Sequence, residues 1–225
     1  MAQSYFITGT DTEIGKTVVS AMLIRYFIER GDKVIGMKPV ASGAKPVTNQ
    51  LQNDDAMQLI NASNVSADYD LVNPYCFEPP IAPHIAAQQQ GTEISVATIQ
   101  QSYQQLANKS DRVIVEGVGG WQVPLNDSQT VADLAVTLSL PVILVVGMRL
   151  GCLNHACLTV ESILAKGCNL TGWIANSIDP DMSCFDQNLA TLQQKIDAPM
   201  LAVLPHFNHG IEALNSYISR NDLIL

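Results

Sequence analysis

Two glycines, a lysine and a threonine lie close together near the N-terminus and have the chemistry of a phosphate-binding loop. Residues 9–17 read GTDTEIGKT, after a strand-like run at 5–8 and before a helical pattern at 17–30. In such a loop the glycines let backbone N–H groups approach phosphate oxygens, the lysine contacts the terminal phosphates, and the hydroxyl binds Mg²⁺. We therefore predict that Lys16 binds phosphate and that Thr17 binds the metal.

The spacing of this loop differs from that of the common nucleotide-binding motif. Five residues, 10–14, separate Gly9 from Gly15. The common motif has one residue fewer between its two glycines. The alternative interpretation is a glycine-containing turn in which the GKT sequence occurs by chance. The order of strand, loop and helix favours phosphate binding, since it directs the positive end of a helix at the ligand.

Charged residues at two other points could complete the site. Lys38 follows the strand-like run 33–37, which places it at the carboxyl edge of a sheet, where such folds bind ligands. Asp54 and Asp55 come at the start of a helical pattern, where a carboxylate can cap the helix or bind Mg²⁺. Two alternatives stay open: Lys38 could be a solvated charge at the end of a strand, and the aspartates could cap the helix without binding metal.

Two more predicted strands end in polar residues. Glu116 follows the apolar run 112–115 and precedes a glycine-rich turn, which fits a carboxylate that completes a metal site. A solvated glutamate beside a tight turn is the alternative. Asn176 follows the run 170–175 and could hydrogen-bond an adenine edge, although asparagine is also common in turns.

Short apolar runs that alternate with helical patterns predict the elements that position these residues. Such alternation forms a three-layer α/β fold, a mostly parallel sheet with helices on both faces. Residues 39–91 interrupt it and predict a long irregular excursion. We expect residues 1–225 to form a single domain, since no linker-like segment divides them. The predicted strands are 5–8, 33–37, 112–115, 142–146, 170–175 and 200–204, and the predicted helices are 17–30, 55–60, 94–107, 154–166 and 181–195.

The overall charge argues against two classes of partner. A net charge of -9 and a pI near 4.7 repel nucleic acid backbones and anionic lipids, so we expect no nucleic acid and no membrane partner. The longest apolar run, 141–148, is far shorter than a membrane span. Five cysteines without a CxxC pair indicate neither a disulfide framework nor a zinc site, and we expect a cytoplasmic protein.

Over nearly its whole length the chain resembles the dethiobiotin synthetase family, whose members have a P-loop NTPase-like fold. The resemblance is carried above all by GTDTEIGKT at 9–17 and EGVGGW at 116–121. The five-residue spacing of the phosphate loop is the family's own form. The shorter matching segments are KPVASG at 38–43, NPY at 73–75, PH at 83–84 and GCLNH at 151–155.

The resemblance implies a homodimer that converts 7,8-diaminononanoate, CO₂ (or bicarbonate) and MgATP to dethiobiotin, ADP and phosphate. One amine captures CO₂ as a carbamate, ATP phosphorylates the carbamate to a carbamic-phosphoric anhydride, and the second amine displaces phosphate to close the ring. Carbamate and terminal phosphate are both anions, so cations such as Lys16 and Lys38 must offset their repulsion.

The resemblance also implies roles for individual residues around the metal and the diamine. The residues implied for catalysis are Lys16, Lys38, Thr12 and Glu13. Those implied for Mg²⁺ are Thr17, Asp55 and Glu116, and those facing the diamine and its carbamate are Thr12, Lys38 and Ser42. The segment with Leu150, Gly151 and Asn154 would bind the substrate carboxylate from the partner subunit, so that the active site is shared.

A further set of residues would contact ATP. Its members come from the phosphate loop, the metal site, the glycine-rich turn and the ends of the last strands. They are Glu13, Ile14, Gly15, Lys16, Thr17, Val18, Asp55, Glu116, Gly117, Val118, Gly119, Asn176, Pro205, His206 and Phe207.

Two other activities fit the same fold. An amide-forming ligase of the cobyrinic acid diamide synthase type would activate a carboxylate with ATP, but such enzymes usually carry a glutaminase domain, for which 225 residues leave no room. A partition-type ATPase switch would place a lysine near the start of the phosphate loop, where this chain has Thr10, Asp11 and Thr12. Residues 215–225 also lack the basic amphipathic face that docks on membranes.

Overall fold

A sheet of six parallel strands organises the protein. The computed structural model describes residues 3–48 and 50–206. The strands of this sheet are β1 (Tyr5–Gly9), β2 (Val34–Met37), β7 (Arg112–Glu116), β8 (Val142–Met148), β9 (Leu170–Ser177) and β10 (Met200–Leu204). Their order is β10-β9-β8-β1-β7-β2, which places the first strand inside the sheet. The predicted strands are therefore confirmed, with small differences at their ends.

Helices cover both faces of this sheet. Side chains alternate along each strand, so Phe6 packs in one apolar cluster while Tyr5 and Ile7 pack in the other. The helices α1 (Lys16–Ile28) and α2 (Asp54–Ala62) pack on one face. Those with residues in the cluster on the other face are α3 (Tyr69–Val72), α4 (Pro83–Gln89), α5 (Val96–Ala107), α6 (Val131–Leu138), α7 (Cys152–Ala165) and α8 (Phe185–Lys195). The predicted three-layer α/β fold is confirmed.

The segment 39–91 is more ordered than the sequence predicted. Besides α2, α3 and α4, it holds four short strands. A parallel pair joins β3 (Val40–Ser42) to β6 (Tyr75–Phe77), and an antiparallel pair joins β4 (Lys45–Val47) to β5 (Gln50–Gln52). Each of these strands has three residues, too few to show a periodic apolar pattern. The prediction of an irregular excursion was wrong for that reason.

Three helices, α3, α4 and α6, were missed entirely, and α5, α7 and α8 begin two or more residues from their predicted starts. In α6, Thr130 accepts a hydrogen bond from the backbone N–H of Asp133, whose carboxylate accepts one from Thr130 N–H. This capping box begins a helix whose short, mostly apolar sequence does not distinguish helix from strand. Helix α7 begins two residues before the predicted position, and α8 begins four residues after it.

The carboxyl ends of the central strands meet at one edge of the sheet. Ile7 of β1 lies opposite Glu116 of β7 on one side and Ile143 of β8 on the other. The loops after β1, β7 and β8 therefore leave the sheet side by side, and we place the candidate site there. Within residues 3–48 and 50–206, the helices are all too short or too polar to cross a membrane.

Candidate active site

The phosphate loop joins the end of β1 to the start of α1. Gly15 precedes the helix with a φ of 83°, a left-handed conformation that suits glycine. A Cβ atom at Gly15 would lie 2.2 Å from Nδ2 of Asn176, so a larger residue would also displace that side chain. Glu13 has a φ of 56°, which is strained for a residue with a side chain. Two residues of the loop, Glu13 and Gly15, therefore have a left-handed backbone.

Lys16 is buried beside the loop that it serves. Its ammonium Nζ donates a hydrogen bond of 2.7 Å to the backbone carbonyl of Asp11, at the opposite end of the loop. Burial and the nearby charge of Lys38 lower its pKa to about 8. The ammonium thus lies across the open side of the loop, where burial and Lys38 disfavour its charge. A bound anion would stabilise that charge.

An ion pair that the sequence analysis did not identify joins the phosphate loop to β8. A guanidinium nitrogen of Arg149 pairs with a carboxylate oxygen of Asp11, and both side chains are about two-fifths exposed. Arg149 directly follows β8, which neighbours β1 in the sheet. The position of Arg149 at a strand end was the available signal, but strand order is needed to place it beside Asp11.

A cluster of charges, buried at Lys38 and Glu116, lies next to the loop. The ammonium of Lys38 is 2.9 Å from Oδ2 of Asp55 and 2.5 Å from Oε1 of Glu116. The hydroxyl of Thr17 donates a hydrogen bond of 2.9 Å to the same Oε1 of Glu116. The Lys38 side chain is 4% exposed and that of Glu116 is fully buried. The fold therefore brings together four of the predicted site residues from four different segments.

The charges of this cluster stabilise one another. Burial opposes the charge of Lys38, but Glu116 and Asp55 outweigh burial and raise its pKa. For Asp55, burial opposes ionisation, but Lys38, Thr17 and Lys16 together outweigh burial and lower its pKa. A solvated Lys38, the alternative that the sequence left open, is thereby excluded. An isolated ion would be costly at this depth, so the pairing keeps these groups charged.

The oxygen atoms of the cluster suit a small divalent cation. Within the described ranges 3–48 and 50–206, three or more histidine, cysteine, aspartate or glutamate side chains nowhere form a metal-binding group. The cluster instead offers two carboxylates and the Thr17 hydroxyl. Oε2 of Glu116 is buried and lacks a hydrogen-bond partner within the described residues. Hard oxygen donors with an unused carboxylate oxygen fit Mg²⁺.

Asp54 lies outside the cluster, and neither aspartate caps α2 with its side chain. The cap is Asn53, whose side-chain oxygen accepts from the backbone N–H groups of Asp55 and Ala56 at 3.0 and 3.2 Å. The Asp54 carboxylate instead pairs with Lys45 at 2.8 Å on the surface. Capping by Asp54 or Asp55 was one role that the sequence left open, but asparagine is also a favoured cap residue, and Asn53 takes that role.

The residues predicted to face the diamine lie around the same cluster. The Ser42 hydroxyl oxygen is buried and has no hydrogen-bond partner in the part of the chain that the structure describes. The backbone oxygen of Gly117 lies 3.5 Å from the Lys38 ammonium, so the glycine-rich turn that continues through Val118 reaches the cluster. Thr12 is exposed, and its hydroxyl lies 3.6 Å from where a Cβ atom on Gly119 would be.

The segment predicted to serve a partner subunit projects from the start of α7. Leu150 is 96% exposed. Gly151 has a φ of 96° and begins the helix without a side-chain cap, and Asn154 is also exposed. The first N–H groups of an α-helix lack partners within the helix, and their charge favours anions.

The predicted nucleotide-base residues lie at the ends of β9 and β10. The Asn176 side-chain amide donates a hydrogen bond of 2.8 Å to the backbone oxygen of Ile14, so Asn176 supports the phosphate loop. Next to it is a cavity of about 530 Å³ whose lining includes Pro205 and His206. Phe207, also predicted to contact the base, lies outside the described residues.

Comparisons with known proteins agree on the family. A family model described as an AAA domain matches residues 3–211. The ATP-dependent dethiobiotin synthetase BioD of Aromatoleum aromaticum is 53% identical over 204 residues, which are 91% of this chain and 91% of the relative. BioD of Nitrosospira multiformis is 47% identical over 219 residues, which are 97% of this chain and 95% of the relative. The chain belongs to the dethiobiotin synthetase family.

Solved structures support the fold independently of sequence. A chain of the MinC:MinD cell division protein complex from Aquifex aeolicus superimposes with a TM-score of 0.58 and 15% identity, covering 99% of this chain and 88% of that chain. A ParA family ATPase from Chlorobium tepidum gives a TM-score of 0.57 and 14% identity, with 98% and 91% covered. At this identity the likeness shows the P-loop NTPase-like fold alone.

Proposed function

We propose that this protein uses ATP to join CO₂ to 7,8-diaminononanoate and close the ureido ring of dethiobiotin, a step of biotin biosynthesis. The observation that carries the proposal is the convergence of Lys16 and Lys38 with the oxygen atoms of Thr17, Asp55 and Glu116 beside the phosphate loop. Membership of the dethiobiotin synthetase family, at 53% identity to one relative, supports the same reaction.

The proposed chemistry has three steps. An amine nitrogen of the substrate bonds to the carbon of CO₂ and loses a proton, which gives a carbamate. A carbamate oxygen then attacks the terminal phosphorus of ATP, so that ADP leaves and a carbamic-phosphoric anhydride forms. The second amine attacks the carbonyl carbon of the anhydride and loses a proton, and phosphate leaves as the ring closes. Positioning and charge stabilisation carry most of such a phosphoryl transfer.

The two lysines offset the repulsion between the reacting anions in this proposal. Lys16 would exchange its contact with the Asp11 carbonyl for the phosphates of ATP, whose negative charge stabilises the ammonium. Lys38 and Ser42 would face the carbamate, and the buried hydroxyl of Ser42 has no competing partner among the described residues. Thr12 and Glu13, exposed in the loop, would line the same side of the site.

Thr17, Asp55 and Glu116 would hold Mg²⁺. When bound, the ion would neutralise phosphate charge and orient the terminal phosphate. Because the ammonium of Lys38 contacts both carboxylates, Lys38 also keeps these two acids from repelling each other in the protein without metal.

The nucleotide would extend from the phosphate loop towards β10. Backbone N–H groups from Ile14 to Val18 would hold the phosphates, since they lie at the start of α1. The side-chain oxygen of Asn176 could accept from the adenine amine while its nitrogen holds Ile14. The cavity lined by Pro205 and His206 would take the base, and Phe207 follows these residues in sequence.

We also propose a homodimer in which each subunit completes its partner's site, located in the cytoplasm. The exposed Leu150 and the uncapped start of α7 at Gly151 support this, because they offer N–H groups for the substrate carboxylate. Mixing a Lys16→Ala subunit with a Gly151→Trp subunit should restore activity that neither variant has alone. Additive residual activity of the mixture would contradict a shared site.

A substrate-omission assay tests the reaction itself. We expect ADP release to require the diamine, bicarbonate and Mg²⁺ together, and dethiobiotin to accumulate in proportion to ADP. Rapid ADP release without the diamine would indicate an ATPase switch, and ADP release that requires a carboxylate and an amide donor would indicate an amide-forming ligase.

A further inference from the structure

The hydroxyl of Tyr69, at the start of α3, is the centre of a hydrogen-bond network beside the site. It accepts from the backbone N–H of Asn53 at 2.8 Å and lies 2.9 Å from the side-chain oxygen of Asn73, to which it donates. Its oxygen is also 3.6 Å from the sulfur of Cys76. Burial and this sulfur raise the pKa of Tyr69, so the hydroxyl keeps the proton that it donates.

Asn73 extends the network to the backbone of Lys38. Its side-chain nitrogen donates hydrogen bonds to the carbonyl of Lys38, at 2.6 Å, and to the carbonyl of Tyr75, at 3.2 Å. Asn73 is 2% exposed, so these groups have little access to water. The chain leaving β2 is fixed from the other direction as well, because Lys38 N–H donates to the carbonyl of Val72 at 2.9 Å.

Asn53 extends the network to Asp55 and Ser42. Its side-chain oxygen caps α2 by accepting a hydrogen bond from Asp55 N–H. Its side-chain nitrogen donates a hydrogen bond of 3.3 Å to the carbonyl of Ser42. Asn53 is 6% exposed. One connected set of three side chains, those of Tyr69, Asn53 and Asn73, therefore holds the backbone of three residues that the proposed reaction uses.

We propose that Asn53, Tyr69 and Asn73 are positioning residues that set the distance between the Lys38 ammonium, the Asp55 carboxylate and Ser42. This inference rests on the proposed function. Tyr69 and Asn73 lie at the two ends of α3, Asn53 lies directly before α2, and the Tyr69 hydroxyl oxygen bridges these two segments. Small displacements of catalytic groups lower rates strongly, because the reaction needs its groups pre-aligned.

A structural role alone would predict a different result from a positioning role. If Tyr69 only stabilised the fold, its loss would lower stability and leave the rate per folded molecule unchanged. Nucleotide binding serves as the internal control, because Lys16 and Asn176 hold the phosphate loop through contacts outside the network. Loss of the hydroxyl should therefore slow the reaction without weakening nucleotide binding.

The test compares Tyr69→Phe with Tyr75→Phe. The Tyr75 hydroxyl also accepts a backbone N–H, that of Ser95 at 3.0 Å, and both tyrosines are half-buried. Each variant loses one hydroxyl, but only Tyr69 bridges to Lys38 and Asp55. For Tyr69→Phe we expect kcat for dethiobiotin formation to fall about tenfold or more, with the Kd for ATP, measured without divalent cations, unchanged within about twofold. Tyr75→Phe should keep the wild-type kcat.

Two kinetic results would overturn the inference: a kcat for Tyr69→Phe equal to that of Tyr75→Phe, or an ATP affinity that falls as much as kcat. A crystal structure of Tyr69→Phe adds a readout that does not depend on turnover. We expect the contacts from Asn73 to the Lys38 carbonyl and from Lys38 to Asp55 to lengthen, and unchanged contacts would contradict the positioning role. Absence of dethiobiotin formation by the wild type would count against the proposed reaction, while the crystal structure would still decide the positioning.

Discussion

The two aspartates that begin α2 form ion pairs of nearly equal length in different surroundings. Asp54 lies 2.8 Å from Lys45, with both side chains at least 70% exposed. Asp55 lies 2.9 Å from Lys38, whose side chain is 4% exposed. Water screens both members of the first pair but in the second reaches only Asp55, whose side chain is 41% exposed, so equal distances do not imply equal interaction. Burial, more than geometry, separates a surface ion pair from a candidate site.

Helix geometry explains how neighbouring residues reach different environments. Successive residues of an α-helix point about 100° apart. One of the two aspartates therefore faces the strands β4 and β5, while its neighbour faces the carboxyl edge of the sheet, where Glu116 ends β7. The difference between the two pairs can be tested by changing either the lysine or the aspartate of each pair.

The largest effect should come from Lys38. In Lys38→Met, Glu116 would be left fully buried without its cation, and loss of one partner of a buried pair costs about 3–5 kcal/mol of folding free energy. We expect that loss in urea unfolding, together with loss of dethiobiotin formation. The double variant Lys38→Met/Glu116→Gln should regain stability but not activity. Lys45→Met is the matched surface control, and an equal loss of stability in both lysine variants would contradict the comparison.

The next largest effect should come from Lys16. Lys16→Ala removes a preorganised cation from the terminal phosphates, and we expect kcat to fall roughly 100-fold, about 3 kcal/mol in activation free energy. The fold should be retained, since within residues 3–48 and 50–206 the Lys16 ammonium donates to the Asp11 carbonyl and forms no ion pair with a buried carboxylate. Steady-state kinetics with saturating diamine measure the change. Unchanged turnover would show that the loop has been misinterpreted.

The pKa of Lys16 predicts how nucleotide affinity depends on pH. Burial and Lys38 lower this pKa to about 8, whereas bound phosphates would favour the protonated form. ATP affinity without divalent cations should therefore be nearly constant below that pKa. Above it, affinity should fall by about tenfold for each pH unit, because binding must then restore the proton. Calorimetric titrations between about pH 7 and 9.5 measure this. In Lys16→Arg the fall should disappear, and its persistence there would assign the proton to another group.

The smallest effect should come from the surface pair. Asp54→Asn removes the contact with Lys45, and exposed ion pairs contribute less than about 1 kcal/mol. We expect unfolding free energy to change by no more than about 0.5 kcal/mol and kcat to stay within about twofold. Asp55→Asn, the adjacent change, should raise the Mg²⁺ concentration needed for half-maximal activity. A similar rise in Asp54→Asn would place both aspartates in the metal site.

The sequence alone identified the phosphate loop and the sheet. Gly15, Lys16 and Thr17 between a strand-like run and a helical pattern form a local arrangement, so a short segment suffices to predict it. Strands such as β8, buried along its whole length, appear in the sequence as continuous apolar runs. Lys38, Asp55 and Glu116 were selected from strand and helix ends, together with the resemblance to a family.

Only the tertiary structure decided which of these residues meet. By charge and position alone Asp54 and Asp55 are equivalent, and only the family resemblance favoured Asp55; the direction in which α2 packs on the sheet separates them. The pairing of Asp11 with Arg149 and the bridge through Tyr69 join segments that are distant along the chain. Such contacts depend on strand order and helix packing, which bring together side chains whose local sequences carry no sign of one another.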